Sequence, residues 1–151
     1  MTIQFLDLRL SQHSNSDAAT TPIPTAPASL LFGDIGIQTA GVSLANAGDI
    51  RVLLNGYVKV SGLTLAVETL TIRVFRDTGG GPVQIFVTTY GPVAATLQET
   101  WGFSVADFPP APLSGEIQYT ATIETNLALV STAVIGAANF SGTAAAGTTT
   151  S

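Results

Sequence analysis

The fold class that the sequence predicts is all-β: a two-sheet antiparallel sandwich, a jelly roll of about eight short strands with an extended N-terminal strand and arm. Three observations predict it. Segments in which apolar and polar residues alternate recur along the chain, as in "DIRVLLNGYVKVSG" and "EIQYTATIETN". Clusters of Gly and Pro such as "DTGGGP" and "DFPPAPLSG" separate them. No stretch carries a sustained helical period. An immunoglobulin-like sandwich is the competing topology, and the absence of Cys removes that family's disulfide marker without excluding its strand arrangement.

The first ten residues, "MTIQFLDLRL", read as a strand with a change of phase. Ile3 and Phe5 share one face, and Leu6, Leu8 and Leu10 the other, which a bulge or a move between sheets would explain. "SQHSNSDAATTPIPTAPAS" is polar and Pro-spaced, the composition of an extended connector that folds back on its own domain or reaches a neighbour. "LLFGDIGIQTAGVSLA" suggests short strands broken by glycine.

In "DIRVLLNGYVKVSG", Ile50, Val52, Leu54, Val58 and Val60 fall on one face, with Gly56 where a close backbone approach is expected. "LTIRVFRDTGGGPVQIFVTTY" reads as a hairpin with Val74 opposite Ile85 and Arg73 opposite Phe86. Its outward face would then present Phe75, Phe86 and Tyr90 around Arg73, either as the centre of a protein interface or as rings covered by a loop or the N-terminal strand.

Trp101, Phe103 and Val105 alternate next, followed by a proline turn and the strand carrying Ile117, Tyr119, Ala121 and Ile123. "LALVSTAVIGAANFSG" is a last β-branched run, expected to break near Gly136, before the low-complexity "TAAAGTTTS". Residues 1–29 are thus assigned as strand and Pro-rich arm, 30–142 as the jelly-roll domain and 143–151 as a tail.

Composition narrows the function classes. Charged residues are 10% of 151, against about 25% in ordinary globular proteins, so the surface is weakly charged and self-association is expected. Five basic residues cannot form a phosphate-tracking stripe, so nucleic acid is not an expected partner. The opening residues lack a basic stretch and carry Asp7 inside the apolar segment, so no secretory signal is expected, and no segment approaches a membrane span.

No catalytic, cofactor or metal site is expected. "TGGGPV" lacks the Lys of a phosphate loop and leads into a strand rather than a helix, so it is read as a hairpin loop. His13, the sole histidine, lies beside Ser11 and Ser14 without an orienting acid. The acids are scattered. Asp34 and Asp49 are read as turn acids with at most weak calcium affinity.

The segments "DIRVLLNGYVKV", "GFSVADFPPAP" and "IQYTATIETNLALVSTAVIGAANFSGTAA" together resemble small Thr- and Ala-rich proteins of spore-forming bacteria. These include exosporium proteins with a tumour-necrosis-factor or C1q-like jelly roll and subunits of spore appendages. The resemblance spans Asp49 to Ala145. It implies a jelly-roll subunit that assembles into trimers or fibres on the spore surface, with N-terminal segments linking neighbours. The chain lacks the connector Cys of the appendage subunits and the Gly-X-Y repeats of the exosporium glycoproteins, so no family residue is transferred.

The expected function is therefore a structural, self-assembling subunit of an extracellular or spore-surface layer or fibre, and not an enzyme. Its expected interface residues are Ile3, Phe5, Leu6, Leu8, Leu10, Arg73, Phe75, Phe86 and Tyr90. The alternative is a trimeric C1q-like or lectin-like module that recognises carbohydrate or a receptor.

Overall fold

The computed structural model describes residues 3–18, 20–63, 67–91, 98–112, 114–127 and 131–148. Residues 1–2 of the expected first strand, 97 of the Trp101 segment, 128–130 of the last run and 149–151 of the tail lie outside them. Nine strands are described: β1 (Gln4–Ser14), β2 (Thr21–Pro22), β3 (Leu30–Gln38), β4 (Ile50–Ser61), β5 (Leu70–Asp77), β6 (Val83–Tyr90), β7 (Gln98–Asp107), β8 (Glu116–Thr125) and β9 (Val134–Ala146). One sheet has the order β1-β9-β4-β7, with β2 also on β9, and the other the order β3-β8-β5-β6. All of the paired strands run antiparallel. This is a two-sheet jelly roll, as the alternation predicts.

Strands β4 and β8 turn alternate residues inward, because a one-sided sheet must bury one face. From β4 these are Ile50, Val52, Leu54, Val58 and Val60, and from β8 Ile117, Tyr119, Ala121 and Ile123, all buried. At the centre the ring of Phe103 stacks on Phe86 and Phe140, with centroids 5.8 and 6.3 Å away, and meets Phe32 edge-on at 6.3 Å. Gly56 is the space this cluster needs, since a Cβ there would overlap the Phe103 ring.

β9 corrects the sequence reading at its C-terminal end. It continues past Gly142 to Ala146, so Thr143–Ala146 are strand rather than tail, with Ala144 and Ala146 buried. At Gly142 only a residue without a side chain fits, because Ile35 of the facing sheet and Leu54 of the neighbouring β4 press on it. A Cβ on Gly142 would lie 2.7 Å from Ile35 Cδ1 and 2.9 Å from Leu54 Cδ2. Near Gly136 the ladder with β4 shifts register without breaking the strand.

The N-terminal segment is also more ordered than a connector. β1 extends through "SQHS" to Ser14 and pairs with β9 of its own chain. Beyond it Thr21–Pro22 pair with β9, the buried Ile23 donates its N–H to the Ala133 carbonyl, and Ala26 donates to Thr125 O. Residues 1–29 thus contribute a sheet strand and part of the core. The glycine-interrupted stretch from Leu30 is one strand with a bulge between Leu31 and Gly33, not several.

The two long sides of the sandwich are closed differently. On one, β1 lies over the free edge of β3: Asp7 Oδ2 accepts the Gln38 N–H at 2.8 Å and Ser11 Oγ the Asp34 N–H at 3.1 Å. Side chains here replace the ladder that an edge strand lacks, which also blunts that edge against other chains. On the other side, Tyr90 of β6 stacks on Trp101 of β7 with centroids 4.1 Å apart and planes 6° from parallel.

Candidate functional site

The triple-glycine loop turns the chain from β5 into β6. Asp77 Oδ1 accepts the N–H groups of Gly79 at 2.8 Å and Gly81 at 3.1 Å, so a carboxylate inside the loop occupies amides that a phosphate would need. Gly79 and Gly81 have φ of 119° and 103°, which L side chains rarely adopt. His13 Nε2 lies 3.3 Å from Thr21 Oγ1, while Ser11 Oγ accepts the Asp34 N–H at 3.1 Å and Ser14 Oγ the Ser16 N–H at 3.0 Å. Asp34 sits in strand β3, not in a turn, and accepts from Gln118 Nε2 at 3.0 Å.

Among the described residues no group of three or more His, Asp or Glu side chains is placed to hold a metal ion. No helix of these residues is long and apolar enough to cross a membrane. Of the five basic residues, four are paired with acids: Arg9 with Asp7, Lys59 with Asp17, Arg73 with Glu124 and Arg76 with Asp107.

The expected hairpin cluster is divided between two faces. A bulge at Ile85 shifts the β5–β6 register by one residue, setting Val74 opposite Phe86, Arg73 opposite Val87 and Phe75 opposite Gln84. Phe86 and Tyr90 therefore point into the sandwich, onto Phe103 and Trp101, and burial raises the pKa of the Tyr90 phenol. Only Arg73 and Phe75 face outward. There Arg73 donates to Glu124 Oε1 and Gln84 Oε1, each at 2.8 Å.

The N-terminal residues regroup in the opposite sense. The expected bulge falls at Leu6, between the Phe5–Ala145 and Asp7–Ala144 pairs. One extra residue on β1 turns Leu6 in against the core and brings Phe5, Leu8 and Leu10 onto the same outer face, instead of dividing Phe5 from the leucines. Ile3 precedes the strand and is exposed.

That outer face, with Phe108 just past the end of β7, carries large exposed apolar residues. Relative exposures are 65% for Phe5, 53% for Leu8, 76% for Leu10, 50% for Leu53 and 69% for Phe108. Register places Leu8, Thr143, Leu53 and Ala106 in one row across β1, β9, β4 and β7. A depression of about 400 Å³ lies at the β4–β7 end, lined by Arg51, Leu53, Ala106, Phe108, Thr143 and Ala145. The Arg51 guanidinium carbon lies 5.8 Å from the Phe108 ring centroid. Leu53 was legible as the one apolar residue on the polar face of β4, and Phe108 was hidden inside the proline turn.

No family model and no curated protein sequence matches the chain. Its fold does recur in solved structures. VP2 of infectious bursal disease virus, in its subviral particle, is similar with a TM-score of 0.56 at 8% identity, over 93% of this chain and 36% of VP2. Latent dimeric PorU from Porphyromonas gingivalis is similar with a TM-score of 0.51 at 8% identity, over 95% of this chain and 13% of PorU. The Eiger TNF of S. frugiperda aligns over 98% of this chain and 95% of its own, with a TM-score of 0.47 at 11% identity. The chain thus spans about a third of VP2 and about an eighth of PorU. At these identities the likeness is one of fold.

Proposed function

We propose that this chain is a structural subunit that joins copies of itself through the outer face of its five-stranded sheet. The observation that carries this reading is the exposure of Phe5, Leu8, Leu10, Leu53 and Phe108 on one side of one sheet. Large apolar side chains gathered on one exposed face mark interaction sites, because water leaves their surface at a gain of roughly 25 cal/mol per Å². The low charge content removes the repulsion that would keep copies apart.

A protein of like fold, VP2, is found in a particle built from its own copies, which supports a building role for the architecture. With β1 paired to its own β9, the join is face to face and needs no exchange of the N-terminal strand. The resemblance of Asp49–Ala145 to spore-surface proteins favours an extracellular or spore-surface layer or fibre as the place of such an assembly. The role is mechanical rather than catalytic.

Sedimentation of the wild-type chain beside Leu53→Glu and Leu8→Glu tests the proposal. The wild type is expected to sediment as an oligomer at micromolar concentration and both variants as monomers with unchanged circular dichroism. A wild-type monomer at millimolar concentration, or variants that assemble like the wild type, would overturn it.

A further inference from the structure

The outer face of the four-stranded sheet, opposite the proposed assembly face, holds a groove. One cavity of about 590 Å³ is bounded by Pro27 of the N-terminal connector and by Arg73, Phe75, Gln84, Thr122 and Glu124. A second, of about 220 Å³, continues on the other side of Phe75 past Gln118 and Thr120. Phe75 borders both. We propose that this groove binds a neutral oligosaccharide, with Phe75 as the platform for the C–H face of one sugar ring and the polar groups around Arg73 binding its hydroxyls.

The chemistry of the lining selects that ligand class. Arg73 gives Nε to Glu124 and Nη1 to Gln84, leaving Nη2 without a protein acceptor among the described residues. With Gln84 Oε1 occupied by Arg73, its Nε2 amide remains to donate. Glu124 Oε2 accepts, and the Thr122 and Thr120 hydroxyls do both. Vicinal sugar hydroxyls also donate and accept, so they match such a mixed set.

An anionic ligand is disfavoured. Glu124 borders the first cavity and Asp77 the second, and Arg73, the one cation bordering either, is already paired with Glu124. A peptide added as a strand is disfavoured too, because β8 and β5 form the floor and both lie inside the sheet with their ladders filled. The cavity is within the usual size range of small-ligand sites, roughly 300–1,000 Å³.

Calorimetric titration of the full chain with chitotetraose, maltohexaose, cellohexaose and a neutral galacto-oligosaccharide tests the inference. At least one is expected to bind with a Kd of about 1 mM or tighter, and Phe75→Ala and Gln84→Ala each to weaken it about tenfold. Leu53→Glu, on the other sheet, is expected to bind the sugar unchanged, which separates this test from that of assembly. The inference is overturned if none of the four binds, if both groove variants bind like the wild type, or if the groove takes only a sulfated oligosaccharide or a Lys-rich peptide.

Discussion

Tyr119 of β8 donates a 2.7 Å hydrogen bond to Asp107 Oδ2 of β7, joining the two sheets through the interior of the sandwich. Arg76 of β5 reaches the other oxygen, Asp107 Oδ1, also at 2.7 Å. Tyr119 is fully buried and Asp107 nearly so. A buried carboxylate is tolerable only when its oxygens are satisfied, and here a phenol and a guanidinium satisfy them. Tyr119→Phe keeps the ring and removes one donor. It should lower unfolding free energy by about 1–3 kcal/mol, read as a fall in the urea midpoint. Asp107→Ala strands Arg76 and should cost more, about 3–5 kcal/mol.

The same bridge sets an alkaline limit. Burial, reinforced by the hydrogen bond to the Asp107 carboxylate, pushes the Tyr119 pKa far above its ordinary value of 10.0. A group whose folded pKa is raised stabilises the fold fully below its unfolded pKa, and that contribution is lost as pH rises above it. Stability should therefore decline above pH 10, and Tyr119 should ionise only as the fold opens. Phenolate absorbance followed together with circular dichroism checks both, and Tyr119→Phe should flatten the decline.

At the β1–β3 side the sign is reversed. Desolvation alone would raise the Asp7 pKa, but hydrogen bonds from Arg9 and from the Gln38 and Leu8 amides outweigh it and hold the carboxyl below its ordinary 3.8. A depressed folded pKa contributes stability above the unfolded value, lost as pH falls through the folded one. Acid below about pH 4 should thus loosen β1 from β3. Amide exchange at Gln38 should accelerate there, and Asp7→Ala should reproduce the acceleration at neutral pH.

Gly56→Ala should be costly although it adds one methyl group. The added Cβ meets the Phe103 ring, which is fixed by contacts with Phe32, Phe86 and Phe140 and has no free direction to retreat. Overpacking of this kind costs about 1–3 kcal/mol. Thermal unfolding should show the loss, while Gly80→Ala, in open space at the hairpin tip, should show little.

Legibility in the sequence followed the strength of the alternation. β4 and β8 each bury one clean face, so their inward residues could be named from the chain alone. The period reveals a bulge only where it leaves a change of phase, as at Leu6 and not at Ile85. Ile85 moved Phe86 and Tyr90 from the surface to the interior, whereas Leu6 brought Phe5 onto the face of Leu8 and Leu10. Composition misled at β9, where the Ala-rich Thr143–Ala146 looks like a tail but continues the strand, with Ala144 and Ala146 buried. It misled again at "SQHS", which is polar because an edge strand turns half its residues to water. The groove residues Gln84, Thr122 and Glu124 left no signal, since single polar residues are common on any outward strand face.

β1 and β9 run antiparallel with Gln4 beside Ala146, so both strands reach the same pole of the domain. Tension applied between those two points loads the outermost pair first and parts the ladder rung by rung, as a zip opens, instead of shearing all rungs at once. The β1–β9 pair is therefore weakest to a pull applied at Gln4 and Ala146.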